Sequence, residues 1–70
     1  MKHGARNDIP ARIVRIQRGG VMCQVDVLLE DTNYRMSSVM TLDSLEAMNV
    51  AEGDRVRVLA KAVNVLLTKE

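Results

Sequence analysis

Near the start of the chain, Arg6 and Asn7 form a polar pair just ahead of Pro10 and the first apolar run. Further on stand Thr41 and Ser44, three residues apart, and near the end Lys61 and Ala62. These are small donors and cations placed at the ends of predicted elements. A compact tetrahedral dianion needs such groups: hydroxyl and backbone N–H donors set concavely, with one or two positive charges. Arginine can bridge two oxygens with its planar fork, whereas lysine offers a point charge. Ordinary helix caps and solvated charges use the same residue types, so spacing alone leaves both readings open.

Catalytic chemistry has little to draw on. His3 lies near the terminus without a sequence-adjacent acid, and Cys23 falls on the apolar face of a predicted strand, where a thiol acts as a small hydrophobe. A nucleophilic thiol needs an electropositive, accessible setting. Asp43 and Glu46 have the spacing of a helix-start capping box. One His and one Cys cannot make a zinc quartet. The five methionines contain no dense Met-x-Met cluster and read as core or interface filler. The sequence predicts a protein that is not an enzyme and carries no directly bound metal.

Several elements must position the candidate donors. Ala11–Gln17 reads as a β-branched strand, although Ile13 and Val14 side by side break its alternation. After the Gly19-Gly20 turn, Val21, Cys23, Val25, Val27 and Leu29 alternate with a mixed second face. Asp31–Asn33 is a turn by composition. Tyr34–Met40 gives a weaker third strand, and Leu42, Leu45 and Met48 give a short helix. Glu52–Asp54 punctuates the chain, Val56–Ala60 forms a fourth strand, and Val63–Thr68 a fifth after a bend near Ala62. The order suits a single 1–70 domain: a five-stranded Greek-key barrel of OB type, mainly β, with its helix between strands 3 and 4; a small open sheet with one helix gives much the same pattern.

Seventy residues lie near the lower limit for one self-sufficient core, and a single cysteine allows no internal disulfide. Apolar residues make up 47% of the chain without any Phe or Trp, so self-association is the expected supplement. A formal net charge of +1 and one aromatic residue, Tyr34, argue against single-stranded nucleic acid, which is held by stacking platforms in a basic groove. Arg12, Arg15 and Arg18 are three apart, a spacing that sends them to different faces of a strand. No apolar run approaches the length of a membrane span, and no signal peptide is read ahead of the domain. The unpaired cysteine fits a reducing, cytoplasmic setting.

The segments "ARN", "GGVMCQVDV" and "VMTLDSLEAMNVAEGDRVRVLAKAVNVLL", in this order over nearly the whole chain, resemble the Mop or molbindin family, molybdate-binding relatives of the transport-associated OB (TOBE) domain. The resemblance implies an OB-type barrel, often with swapped strands, assembled as a homohexamer built as a trimer of dimers. It implies molybdate or tungstate bound at subunit interfaces for intracellular storage or homeostasis, with no organic cofactor. Carried over by residue, the family's Ser-Ala-Arg-Asn falls on Gly4, Ala5, Arg6 and Asn7, and its Lys-Ala-Ser or Lys-Ala-Thr on Lys61, Ala62 and Val63. Thr41 and Ser44 match their positions. Two hydroxyls of the family pattern are therefore absent, at Gly4 and Val63. The alternative is a ligand-free structural or interaction module that keeps the oligomeric scaffold with a degenerate pocket.

Overall fold

The computed structural model describes residues 6–70. Four strands form one antiparallel, strongly curled sheet in the order β3-β2-β1-β4: β1 (Asn7–Arg18), β2 (Met22–Leu29), β3 (Arg35–Thr41) and β4 (Arg55–Ala60). Helix α1 (Leu42–Met48) lies between β3 and β4 in the chain, as expected. The helix closes one mouth of the curl by inserting Leu45, which is 3% exposed, against Ala11, Ile13, Cys23, Val25 and Val27. That core is small and aliphatic, and burying each of its larger side chains contributes roughly 1.5–3 kcal/mol.

Strand β1 begins four residues earlier than its apolar pattern suggests and runs through Pro10. The Pro10 carbonyl accepts the Glu30 N–H at 3.0 Å, on the β2 side. The ring nitrogen points to that same side, so the ladder to β4 loses no donor and proline is tolerated. The Ile13-Val14 pair that breaks alternation marks a β-bulge, where the β1–β2 register shifts between Ile13 and Arg15. A bulge adds one residue and sharpens the bend. Here it lets Ile13 and Ile16 both face inward on either side of the shift, paired with Val27 and Val25.

The Glu52–Asp54 turn clasps this bulge. The Ile13 N–H donates to the Asp54 carbonyl at 2.9 Å, and the Gly53 N–H donates to the Ile13 carbonyl at 2.8 Å. The Glu52 carboxylate accepts the Ile16 N–H at 3.0 Å. Gly53 has φ +94°, a conformation that side chains disfavour, which explains a glycine between the two acids.

Two expectations are corrected. Among the described residues the fold has four strands, not five: Val63–Thr68 forms no strand, and the chain instead makes a 3₁₀ turn at Ala62–Asn64 and continues exposed, without regular secondary structure. The polar Asn64 within "AVNVLL" occupies that turn, and its N–H closes onto the Lys61 carbonyl at 2.9 Å. The barrel is consequently open between the edge strands β3 and β4. The helix start is also different. Thr41 is the N-cap, and its Oγ1 accepts the Ser44 N–H at 3.1 Å, so Thr41-x-x-Ser44 carries out the capping expected of Asp43 and Glu46. Asp43 remains in the first turn, where a carboxylate complements the helix dipole.

Candidate functional site

The predicted donors fall into two groups. The first forms where β1 begins and β4 ends. Asn7 pairs with Ala60 in register, and its Nδ2 donates to the Ala60 carbonyl at 3.1 Å. This ties Arg6 and Asn7 to the point where Lys61, Ala62 and Val63 leave the sheet. One step inward, Arg57 Nε donates to the Asp8 carboxylate across the same seam. Arg6, Lys61, Ala62 and Val63 are all exposed, while Asn7 is half-buried. Within the turn, hydrogen bonding begins at Asn64, whose N–H reaches Lys61 O, followed by Val65 N–H to Ala62 O at 3.1 Å. Gly4 and Ala5, and with them His3, lie outside the described residues.

The second group is the helix cap. Thr41 Oγ1 and Ser44 Oγ lie 2.9 Å apart, and both residues are exposed. The segment is held in place by the Leu42 N–H, which donates to the Val21 carbonyl at 2.8 Å, and by pairing of Thr41 with Met22. The Cys23 thiol lies 3.9 Å from the Thr41 carbonyl and is buried, as its place in the alternating strand predicts.

The two groups stand at opposite ends of β1. Asn7, at one end, pairs with Ala60; Arg18, at the other, pairs with Cys23, next to the Met22–Thr41 pair. Eleven residue steps of about 3.3 Å separate those ends along the strand. One copy of the chain therefore does not bring Thr41 and Ser44 together with Arg6, Asn7 and Lys61. Sequence order gave no sign of this separation, because it follows from which strands pair.

The sheet's outer face carries a further polar constellation that sequence reasoning missed. Asp26 accepts from Ser37 Oγ at 2.7 Å and from Gln24 Nε2 at 2.9 Å. The Ser37 bond first, then the Gln24 bond, hold the Asp26 carboxyl below its ordinary value of 3.8. Slight desolvation opposes them, and Arg15 and Arg35 add to the lowering. The alternation of β2 puts Asp26 outward, but its partners come from register with β1 and β3. Among the described residues, no group of three or more His, Cys, Asp or Glu side chains is arranged to hold a metal ion. Nor is any helix among them long and apolar enough to cross a membrane.

A small, strongly curled antiparallel sheet with one short helix between its third and fourth strands defines the fold class. The chain belongs to the TOBE domain family, whose model matches residues 4–67, and within it is of the Mop or molbindin kind. It is 28% identical to molybdenum-pterin-binding protein 2 of Clostridium pasteurianum and 30% identical to protein 3, in each case over 96% of this chain and 97% of the relative. Among solved structures, the molybdate-binding protein of Sporomusa ovata superposes with a TM-score of 0.90 at 28% identity, covering 99% of this chain and 100% of that one. MopII of Clostridium pasteurianum gives 0.87 at 25% identity over 97% and 100%. The cytoplasmic molybdate-binding protein ModG, in a molybdate-bound form, gives 0.81 at 32% identity over 89% of this chain and 43% of its own.

Proposed function

We propose that this protein binds molybdate or tungstate without turnover, serving cytoplasmic storage or homeostasis of the metal, at sites formed between copies in a homo-oligomer. The observation that carries the reading is the splitting of the candidate donors between opposite ends of β1, in a chain whose relatives are named as molybdate-binding proteins. An anion that needs both groups needs two copies. Arg6 supplies a bidentate cation and Lys61 a point charge, while Asn7 fixes the β1–β4 seam between them. Thr41 and Ser44 of another copy supply hydroxyls. Ala5, Ala62 and the neighbouring backbone at Gly4 and Val63 supply N–H donors where the family pattern has serine or threonine hydroxyls. A homohexamer, built as a trimer of dimers, is the assembly this reading expects. No organic cofactor is part of it, and neither nucleic acid nor membrane is a partner.

Native mass spectrometry during a molybdate titration, with sulfate as the matched control, tests the proposal. A hexamer that takes up a saturable whole-number set of molybdates and ignores sulfate is expected. Gly4→Ser and Val63→Ser, which restore the two missing hydroxyls, are expected to tighten binding. The competing reading is a ligand-free scaffold, favoured by the exposed apolar Val63 at a donor position. An oligomer that takes up neither anion, and gains nothing from either substitution, would establish that reading instead.

A further inference from the structure

Arg12, Arg15 and Arg18 are spaced so that a regular strand would send Arg15 to the face opposite the other two. The bulge in β1 changes this. Arg12 pairs with Leu28 and Arg15 with Asp26, and both partners alternate with the inward Val25, Val27 and Leu29. Both arginines therefore stand on the convex outer face of the sheet. Arg18 pairs with the buried Cys23 and falls on the other side. Register adds Arg35, opposite Leu28, and Arg55 and Arg57, opposite Arg12 and Pro10. Five of the chain's ten lysines and arginines are thus gathered on the outer face, every one of them arginine and exposed.

Their pairing is uneven. Arg57 is bonded to Asp8, and Arg55 places one nitrogen, Nη2, on both oxygens of Glu30 at 2.8 and 3.1 Å. Arg12 donates through Nη1 to the Gly53 carbonyl at 3.0 Å and reaches no carboxylate. Arg15 and Arg35 flank Asp26, yet the hydrogen bonds to its carboxylate come from Ser37 and Gln24. Among the described residues, then, Arg12, Arg15 and Arg35 keep guanidinium donors that no acid of this chain occupies. Arg12 and Arg55 stand directly opposite each other, a like-charge pair that costs the free sheet stability. An anion seated between them turns that repulsion into two attractions. A cleft of about 160 Å³ lies beside the pair, floored by Ala11, Leu28 and Leu29 and rimmed by Glu30 and Thr32.

We propose that this face docks an acidic segment of a partner protein, which spreads its carboxylates over Arg12, Arg15 and Arg35 and seats one of them between Arg12 and Arg55. Composition selects a protein over other polyanions. OB-type sheets also take single strands on an outer face, but with bases stacked on aromatic rings, and here Tyr34 is the one aromatic residue. Asp8, Asp26 and Glu30 are interleaved with the arginines and repel a continuous phosphate backbone, whereas a protein surface of mixed charge accommodates them. Arginine rather than lysine, around the half-buried apolar Leu28, is the make-up of a protein–protein contact. The planar guanidinium fork grips a carboxylate through two bonds at once. Adjacent strands lie about 4.8 Å apart, so carboxylates spread over about 10 Å span β1 to β3. None of these arginines is a candidate donor to the oxyanion, and the docking stands independently of that reading.

Fluorescence anisotropy of the full chain with a labelled synthetic peptide alternating Glu and Ala, beside its Gln-for-Glu counterpart, tests this. Saturable binding of the Glu peptide that weakens as salt rises is expected, with no binding of the Gln peptide. Arg15→Gln combined with Arg35→Gln is expected to weaken binding about tenfold, and Arg12→Gln by a similar factor. The matched control, Arg18→Gln with Lys69→Gln, removes the same net charge away from this face and is expected to leave affinity unchanged. Equal weakening in that control, or a Glu peptide that binds no tighter than the Gln peptide, overturns the proposal. Unchanged affinity in Arg12→Gln overturns the seat between Arg12 and Arg55. An oligothymidine strand of equal length that binds more tightly than the peptide at the same ionic strength assigns the face to nucleic acid and overturns the protein partner. Sedimentation velocity of the Arg15→Gln, Arg35→Gln protein reads the remaining occupant. The wild-type mass is expected, and loss of assembly shows that another copy covers the face, which also overturns the proposal.

Discussion

Thr41 and Ser44 can be separated by substitution, because the geometry gives them different tasks. Thr41 Oγ1 accepts the Ser44 N–H at 3.1 Å, so Thr41→Ala removes the helix cap. Loss of such a cap costs about 1 kcal/mol. Ser44→Ala keeps both the N–H and its acceptor and deletes only a hydroxyl on the exposed side. Its stability cost should stay within about 0.5 kcal/mol. For 70 residues the unfolding entropy is of order 150 cal/mol/K, so 1 kcal/mol corresponds to about 7 °C in Tm. T41A should therefore melt about 7 °C lower, and S44A within about 3 °C of the wild type. If Ser44 Oγ donates to the bound anion, a hydrogen bond to a charged group is removed, worth roughly 1.5–3 kcal/mol, or about 10- to 150-fold in affinity. Calorimetric titration with molybdate, beside thermal unfolding of each variant, reads both quantities. An S44A protein with unchanged affinity would show that Ser44 serves the helix start only, and would remove it from the site.

Three further outcomes follow from the same structure. Leu45→Ala, at the one buried position of α1, should cost about 2–5 kcal/mol and detach the helix from the core, read by chemical denaturation; a loss below about 1 kcal/mol would show that α1 is not an integral part of the core. Lys61→Ala, at an exposed side chain, should leave stability nearly unchanged but weaken molybdate binding by about 1–4 kcal/mol, with a shallower dependence on salt; equal affinity would exclude Lys61 from the site. Asp26 has a folded pKa below its ordinary 3.8, so its contribution is present above that value and is lost as pH falls through the lower folded value. Asp26→Asn should accordingly flatten the acid limb of stability below about pH 4. An identical acid limb in wild type and variant would show that the Ser37 and Gln24 hydrogen bonds do not hold the carboxyl in solution.

Much of the architecture was legible because it rests on local periodicity. The alternation from Val21 to Leu29 gave the inward face of β2: Cys23, Val25 and Val27 are buried and Leu29 is half-buried, whereas Val21 lies ahead of the strand and is exposed. Leu42, Leu45 and Met48 marked the helix, and the Ile13-Val14 pair showed a break in alternation, which only the β1–β2 register identifies as a bulge. The glycine between Glu52 and Asp54 announced a turn, though not that the turn would bind the bulge through Gly53 and Asp54. Element ends were less legible. Pro10 looked like a boundary, yet lies within β1, since its missing donor faces away from β4. Both Asp43 with Glu46 and Thr41 with Ser44 have the spacing of a helix start, and backbone position alone decides that Thr41 stands outside the first turn.

By itself, then, the amino-acid order determined which residues are apolar in phase with a strand or a helix, and which small donors and cations stand at element ends. Those properties are local, set by periods of two or nearly four residues. Only the tertiary structure decided that Arg6, Asn7 and Lys61 share one end of the sheet while Thr41 and Ser44 share the other, because strand pairing joins residues more than fifty positions apart. The same reason explains Val63–Thr68. Its composition is that of a strand, but a strand exists only beside a partner, and among the described residues of one chain this segment has none.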